Sequence, residues 1–323
     1  MSSSWNVLLP REIDPVGPNA IVDFADCTGM DEYESMDDAL ADIDRYDAVI
    51  VRVAKLDRDV IERADRLRVI AKHGAGLDNI DIDAASERNI VVCNTPGANA
   101  RSTAEHAIAL LFGIQRNIHT ADRSIRNGDW DRSAFHGREL HETTLGLMGF
   151  GSIARKTATL AEGLGLDVIV YDPHRVHLRD GVIRFSDLVE LCSRADAVSL
   201  HVPLTDETRG AISTDELAAL GPDGVLINTA RGGVVDESAL VSALESNTIG
   251  GAALDTFSSE PLDQSNPLCG LDNVLMTPHL GGATIEALER MSRVAAENVR
   301  TVFAGNLPDS TVNKNGLNRE VPQ

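Results

Sequence analysis

Residues 144–156 read TLGLMGFGSIARK, and the reading of this stretch decides the fold. Thr144–Met148 is an apolar run that predicts a strand. Gly149-Phe150-Gly151-Ser152-Ile153-Ala154 is G-x-G-x-x-A, and Ile153–Leu164 has helical spacing. In a strand–turn–helix unit Gly149 permits the tight turn. Gly151 lets the backbone, with Phe150, Ser152 and Ile153 around it, approach a pyrophosphate lying on the helix N-terminus, and Ala154 is small where helix packs on strand. Val168–Tyr171 predicts the next strand. It ends in Asp172, about 20 residues on, where a carboxylate holds the adenine-ribose hydroxyls. Two glycines in a turn also occur in units that bind no nucleotide; the flanking strand, helix and acid weigh against that alternative. Asp172 favours NAD, since a carboxylate repels a 2′-phosphate. His174 and Arg175 lie just past the strand, and Arg175 is either a solvated cation or a partner for such a phosphate, so both NAD and NADP stay open.

Outward from this unit, apolar runs alternate with amphipathic stretches. Asn6–Leu9, Ala48–Val53, Arg68–Ala71 and Ile90–Cys93 read as strands, with helices at Met36–Ile43, Asp57–Ala64 and Asp81–Arg88 between them. Arg101–Ile118 reads as one long helix. Further units run Ser186–Cys192 to Ala197–Leu200, Asp215–Leu220 to Val225–Asn228, Glu237–Leu244 to Gly251–Leu254, with a strand near Val274–Met276 and a closing helix near Ile285–Phe303. Strand–helix alternation predicts α/β architecture with parallel sheets. The expectation is two Rossmann-like, doubly wound parallel-sheet domains with a cleft between them. An outer substrate-binding domain (1–98 and 290–323) wraps a contiguous dinucleotide-binding domain (99–289).

The length of 323 residues fits two domains. The balance of 29 basic against 50 acidic residues gives −21, which makes nucleic acid and anionic membranes poor partners. Lys55, Lys72, Lys156 and Lys314 are the only lysines. Excess carboxylate with scarce lysine suits concentrated salt, where a Debye length of ~3 Å at 1 M mutes self-repulsion; an ordinary acidic cytosolic protein is the alternative. The longest apolar run, Ala107–Ile114, falls short of the ~20 residues of a membrane span. The first residues, MSSSWNVLLPRE, do not resemble a signal peptide. Four scattered cysteines read as reduced thiols, which with the rest predicts a cytoplasmic protein and no metal site.

Three segments that follow strands carry candidate chemistry: Asn228-Thr229-Ala230-Arg231-Gly232-Gly233, Asp255-Thr256-Phe257-Ser258-Ser259-Glu260-Pro261-Leu262 and Met276-Thr277-Pro278-His279-Leu280-Gly281-Gly282. Ligands bind at that edge of open parallel sheets. A guanidinium grips a carboxylate by paired hydrogen bonds. A histidine exchanges a proton near neutral pH, and a carboxylate beside it favours the protonated form. Singly, each residue is as consistent with a surface or turn role; together, beside a nicotinamide, they suit interconversion of 2-keto and 2-hydroxy acids.

These segments, with Lys72-His73-Gly74-Ala75-Gly76-Leu77-Asp78-Asn79-Ile80-Asp81, Asn94-Thr95-Pro96-Gly97, Ala104-Glu105-His106 and Leu200-His201-Val202-Pro203-Leu204-Thr205, resemble the D-isomer-specific 2-hydroxyacid dehydrogenase family over nearly the whole chain. The resemblance implies that Arg231 binds the substrate carboxylate and carbonyl oxygen, that His279 is the general acid/base and that Glu260 is its partner. It implies that Asp255 binds the nicotinamide carboxamide and that Thr103 lies near the pyrophosphate. It further implies that His201, Val202, Pro203, Thr205, Thr229, Ala230, Gly281 and Gly282 line the cofactor cleft, that Gly74, Ala75 and Gly76 form a substrate-binding loop, and that the backbone N–H groups of Ala75 and Gly76 hold the carboxylate. Without the resemblance, Gly74–Gly76 is a plain turn. Glu260 argues against formate dehydrogenases, which pair the histidine with glutamine. The regulated type of phosphoglycerate dehydrogenase carries a further domain and is not expected in a chain ending at 323; a short version, a glyoxylate/hydroxypyruvate reductase, and a nucleotide-sensing corepressor remain alternatives. The resemblance also implies a homodimer through the nucleotide domain, with Arg101–Arg126 as a helical contact anchored by Trp130 and Phe135 unless these fill the core.

Overall fold

The computed structural model describes residues 4–175, 178 and 181–317. They form two compact units, one of residues up to Asn99 together with those from Thr284 on, the other Ala100–Ala283.

In the first unit, β1 (Trp5–Leu8), α1 (Val16–Asn19), β2 (Ala25–Thr28), α2 (Met36–Ala41), β3 (Ala48–Val51), α3 (Arg58–Arg63), β4 (Val69–Lys72), α4 (Ile82–Glu87) and β5 (Val91–Cys93) follow in order. The strands are parallel in the order β2-β1-β3-β4-β5. Successive strand residues face opposite sides. Leu8, Val49, Val51, Ile70 and Val92 therefore bury against α2–α4. Val7, Ile50, Val69, Ala71 and Val91 bury on the other side, under Ala295, Ala296, Val299 and Val302 of the closing helix Ile285–Phe303. Covering both faces is what a parallel sheet requires. Asp57 and Asp81 cap α3 and α4 by accepting the Val60 and Ala84 N–H groups, and Thr284 caps the closing helix by accepting that of Ala287.

The second unit holds α5 (Ala100–Gln115), α6 (Ile118–Arg126), β6 (Thr144–Met148), α7 (Ser152–Gly163), β7 (Asp167–Tyr171), β8 (Ile183–Phe185), α8 (Leu188–Arg194), β9 (Ala197–Leu200), α9 (Thr214–Leu220), β10 (Val225–Asn228), α10 (Glu237–Glu245), β11 (Gly251–Leu254) and β12 (Val274–Met276). All seven strands are parallel, in the order β12-β11-β10-β9-β6-β7-β8. The chain runs outward from β6 to β8, then resumes at β9 on the other side of β6. That reversal opens a crevice at the carboxyl ends of β6 and β9, where ligands of such sheets bind.

Two parallel α/β sheets agree with the expected fold class, but two strands, the short α1 and the long helix after the first unit differ from the sequence reading. β2 and β8 were not expected. The helix expected over 101–118 stops at Gln115: Asn117 is left-handed (φ 53°), its Nδ2 donates to His136 O at 3.2 Å, and α6 restarts at Ile118. Asparagine is among the few side chains that visit this region readily. Trp130 does not fill a core, being 79% exposed.

Candidate active site

The Gly-rich turn is built as its residues require. Gly149 has φ 87°, and a Cβ there would lie 2.7 Å from Val202 Cγ1 and 2.8 Å from His201 O. Only glycine satisfies both conditions. Its neighbours are fixed by the Gly149 N–H donating to Tyr171 O and the His201 N–H to Met148 O. Gly151 is the opposite case: no atom lies within 4 Å of its ideal Cβ, and no side chain caps the first turn of α7. An open approach onto unspent helix N–H groups fits a pyrophosphate. Ala154 is fully buried beneath.

Asp172 is buried at the end of β7, and its carboxylate is a clamp. Oδ2 accepts the Phe150 N–H at 2.8 Å, and Oδ1 accepts those of His174 and Arg175 at 3.0 and 3.1 Å. The Arg175 guanidinium turns back to Asp172 at 3.8 Å, and His174 faces Glu207 at 3.5 Å. One acid thus shapes the Gly-rich turn as well as the turn after β7. His201 Nε2 lies 3.0 Å from Ser199 Oγ, and burial pushes its pKa down to about 4, so the ring is neutral at pH 7. Val202 and Pro203 follow β9, and Thr205 sits in an exposed turn closed by Thr208, whose hydroxyl donates to Pro203 O at 2.6 Å.

The three chemical groups come from the ends of β10, β11 and β12. Asn228 accepts the Ala230 N–H and donates to Arg231 O, which bends the chain after β10 past Thr229 and Ala230. A Cβ on Gly232 would lie 1.9 Å from Phe257 C, so the Arg231 and Glu260 loops pack backbone against backbone and no larger residue fits. The Phe257 N–H donates to Glu260 Oε1 at 3.1 Å. His279 Nδ1 lies 2.8 Å from Glu260 Oε2, and His279 holds φ 55°. An ionised carboxylate only accepts, so Nδ1 carries the proton of this bond. Burial acts to raise the Glu260 pKa. The hydrogen bonds from His279 and Phe257 and the charge of Arg231 outweigh it, and the carboxyl lies below its ordinary range.

Asp255 is 1% exposed. Its Oδ1 accepts from Thr277 Oγ1 (2.6 Å), the Leu280 N–H (2.7 Å) and His106 Nε2 (3.2 Å); its Oδ2 accepts the Gly281 N–H (2.8 Å). Burial alone would raise this pKa, but these donors bring it below the ordinary value. Oδ1 is fully engaged, so a further ligand finds only Oδ2. Gly281 also packs on Thr103, and Ser102 Oγ donates to Gly281 O at 2.7 Å; Gly282 follows in the same turn. Ser102 did not stand out in sequence, and His106 did so only within a motif, with no role given to it, because nothing local signals contacts made across some 150 residues or more.

Gly74, Ala75 and Gly76 lie in the first unit, after β4. The Gly74 N–H donates to Thr95 Oγ1 at 3.0 Å, which fixes the start of this loop. The Ala75 and Gly76 N–H groups have no acceptor among the described residues.

A parallel-sheet unit with a Gly-rich turn at its switch point and an Arg, an acid-paired His and a buried Asp at its strand ends defines a dinucleotide-binding unit of the dehydrogenase type. Residues 108–281 match the family model described as D-isomer specific 2-hydroxyacid dehydrogenase, NAD binding domain. The chain is 41% identical over 288 residues to D-3-phosphoglycerate dehydrogenase of Methanocaldococcus jannaschii, covering 88% of this chain and 55% of that one. It is 40% identical over 293 residues to glyoxylate reductase of Thermococcus litoralis, covering 88% of each. A solved NADPH-dependent glyoxylate/hydroxypyruvate reductase from Sinorhizobium meliloti, in complex with NADP and malonate, superposes with a TM-score of 0.87 at 31% identity, over 99% of this chain and 100% of that one. The chain belongs to the D-isomer specific 2-hydroxyacid dehydrogenase family. It spans little more than half the length of the phosphoglycerate dehydrogenase relatives.

Proposed function

We propose that the protein reduces 2-keto acids to D-2-hydroxy acids, and the reverse, using NAD(H) or NADP(H). The single observation that carries this reading is the His279–Glu260 pair at 2.8 Å, close enough to Arg231 for its charge to act on Glu260. The cofactor, when bound, supplies or takes up the hydride. The Gly149–Ile153 turn holds its pyrophosphate and Asp172 its ribose, with Arg175 beside it for a 2′-phosphate. The Arg231 guanidinium binds the substrate carboxylate and lies against the carbonyl oxygen, stabilising negative charge as it develops there. His279 donates a proton from Nε2 to that oxygen, and Glu260 stabilises the imidazolium and fixes its orientation. The Ala75 and Gly76 N–H groups are carboxylate donors in this reading. Loss of activity by orders of magnitude in kcat/KM is expected for His279→Ala and for Arg231→Ala; near-wild-type turnover in either removes it from its role. Failure to oxidise NAD(P)H with any keto acid tested favours the corepressor reading.

The names of the relatives favour a short acid such as glyoxylate or hydroxypyruvate, or a phosphorylated hydroxy acid, which a panel of keto acids separates. We also propose a homodimer through the nucleotide-binding unit, supported by the exposure of Trp130, Ile118 and Ile125, and checked by sedimentation. A charge of −21 with only four lysines supports a cytoplasmic enzyme of concentrated salt, whose activity should hold at molar KCl.

A further inference from the structure

His106 has no part in the chemistry above, yet it touches the network beneath it. It stands on α5, 20% exposed at its side chain, with Nε2 3.0 Å from Thr277 Oγ1 and 3.2 Å from Asp255 Oδ1. An ionised Asp255 only accepts, so Nε2 carries the hydrogen. The Thr277 hydroxyl spends its own proton on Asp255 Oδ1 at 2.6 Å and accepts from His106 in return. From this corner Asp255 grips both sides of His279. Its backbone oxygen accepts the His279 N–H at 2.9 Å, and its carboxylate accepts the Leu280 and Gly281 N–H groups. His279 sits in the left-handed region, which a non-glycine residue holds only when its surroundings impose it. The bonds from Asp255 impose it, and His106 and Thr277 hold the carboxylate in place.

We propose that His106 is a positioning residue: by donating to Thr277 and Asp255 it fixes the loop that aims His279 at its substrate. The proposal rests on the reading of His279 as acid/base. His106 touches no reacting atom, so its loss should act mainly on the proton-transfer step; Asp255 Oδ2, the oxygen left for the nicotinamide, keeps the Gly281 N–H, so binding of the dinucleotide suffers less. Misplacement of a catalytic group by about 1 Å costs up to about a hundredfold.

The test is a steady-state comparison of the whole protein with His106→Ala and His106→Gln, with dinucleotide affinity read by fluorescence titration and folding by thermal melting. His106→Ala should lower kcat by about ten- to a hundredfold, raise the solvent deuterium isotope effect on kcat, and leave KM for the keto acid nearly unchanged, while the dinucleotide Kd rises by much less than kcat falls. Glutamine places an N–H donor at the same reach and should recover most of kcat. If His106→Ala does not fold, Thr277→Val and Thr277→Ser replace the pair, with serine the rescuing variant. A His106→Ala enzyme with wild-type kcat while His279→Ala is inactive overturns this proposal alone. A kcat loss that glutamine does not restore, or that only tracks a lowered melting temperature, overturns it as well. An active His279→Ala enzyme overturns the acid/base reading first.

Discussion

Acidification should destabilise the first unit through His73, and the size of the effect follows from where that ring lies. His73 is 3% exposed, at the end of β4. Its Nε2 is 3.3 Å from Leu288 O on the closing helix, while its buried Nδ1 has no partner among the described residues. Burial, then the charge of Arg52, lowers its pKa from 6.5 to about 4. The native ring therefore resists a proton that the unfolded chain takes up between those values. The stability this group confers is intact above pH 6.5 and is lost as the pH falls toward 4. At about 1.4 kcal/mol per pH unit, the loss reaches about 2 kcal/mol at pH 5. His73→Gln keeps a donor for Leu288 O and abolishes the titration. Urea denaturation at pH 7 and pH 5 measures both proteins, followed by the fluorescence of Trp5, which is buried in this unit, in a Trp130→Phe background. Wild type should lose about 2 kcal/mol more than the variant between the two pH values. Equal losses would refute the assignment of a buried, neutral His73.

Asp172→Ala removes the acceptor of three N–H groups, so fluorescence titration should show weaker binding of both dinucleotides, with NAD falling further than NADP; equal losses leave Asp172 a scaffold residue only. Gly232→Ala forces a methyl group onto the Phe257 backbone, and calorimetry should show destabilisation of at least about 1–3 kcal/mol, together with loss of activity. Thr284→Ala strips the cap from the closing helix and should cost about 1 kcal/mol in urea denaturation, with little effect on kcat.

The sequence showed most of the architecture because its central strands are apolar runs bounded by turn residues, as in Ala48–Val51 and Val225–Asn228. β2 and β8 escaped notice for a physical reason. Both are edge strands, and an edge strand needs no continuous apolar run: Ala25–Thr28 carries an Asp, and Ile183–Phe185 has an exposed isoleucine and arginine. The break at Asn117 was hidden because no Pro or Gly marks it. In the site, Arg231, Glu260 and His279 stood out by residue type at strand ends. What Asp255 and Asp172 do with their oxygens depends on backbone N–H groups that a string of side chains does not display. The hold of His106 on Thr277 joins residues that only the sheet order brings together.

The closing helix gives the molecule an order of assembly. Ala100–Ala283 is continuous, so it has every strand it needs once it has left the ribosome. The first unit is translated earlier but finishes later. Until residues 295–302 emerge, the face made by Val7, Ile50, Val69 and Ala71 lacks the cover of the closing helix. A nascent chain therefore carries a completed nucleotide-binding unit beside an open, adhesive sheet, and that interval is when it most needs a chaperone.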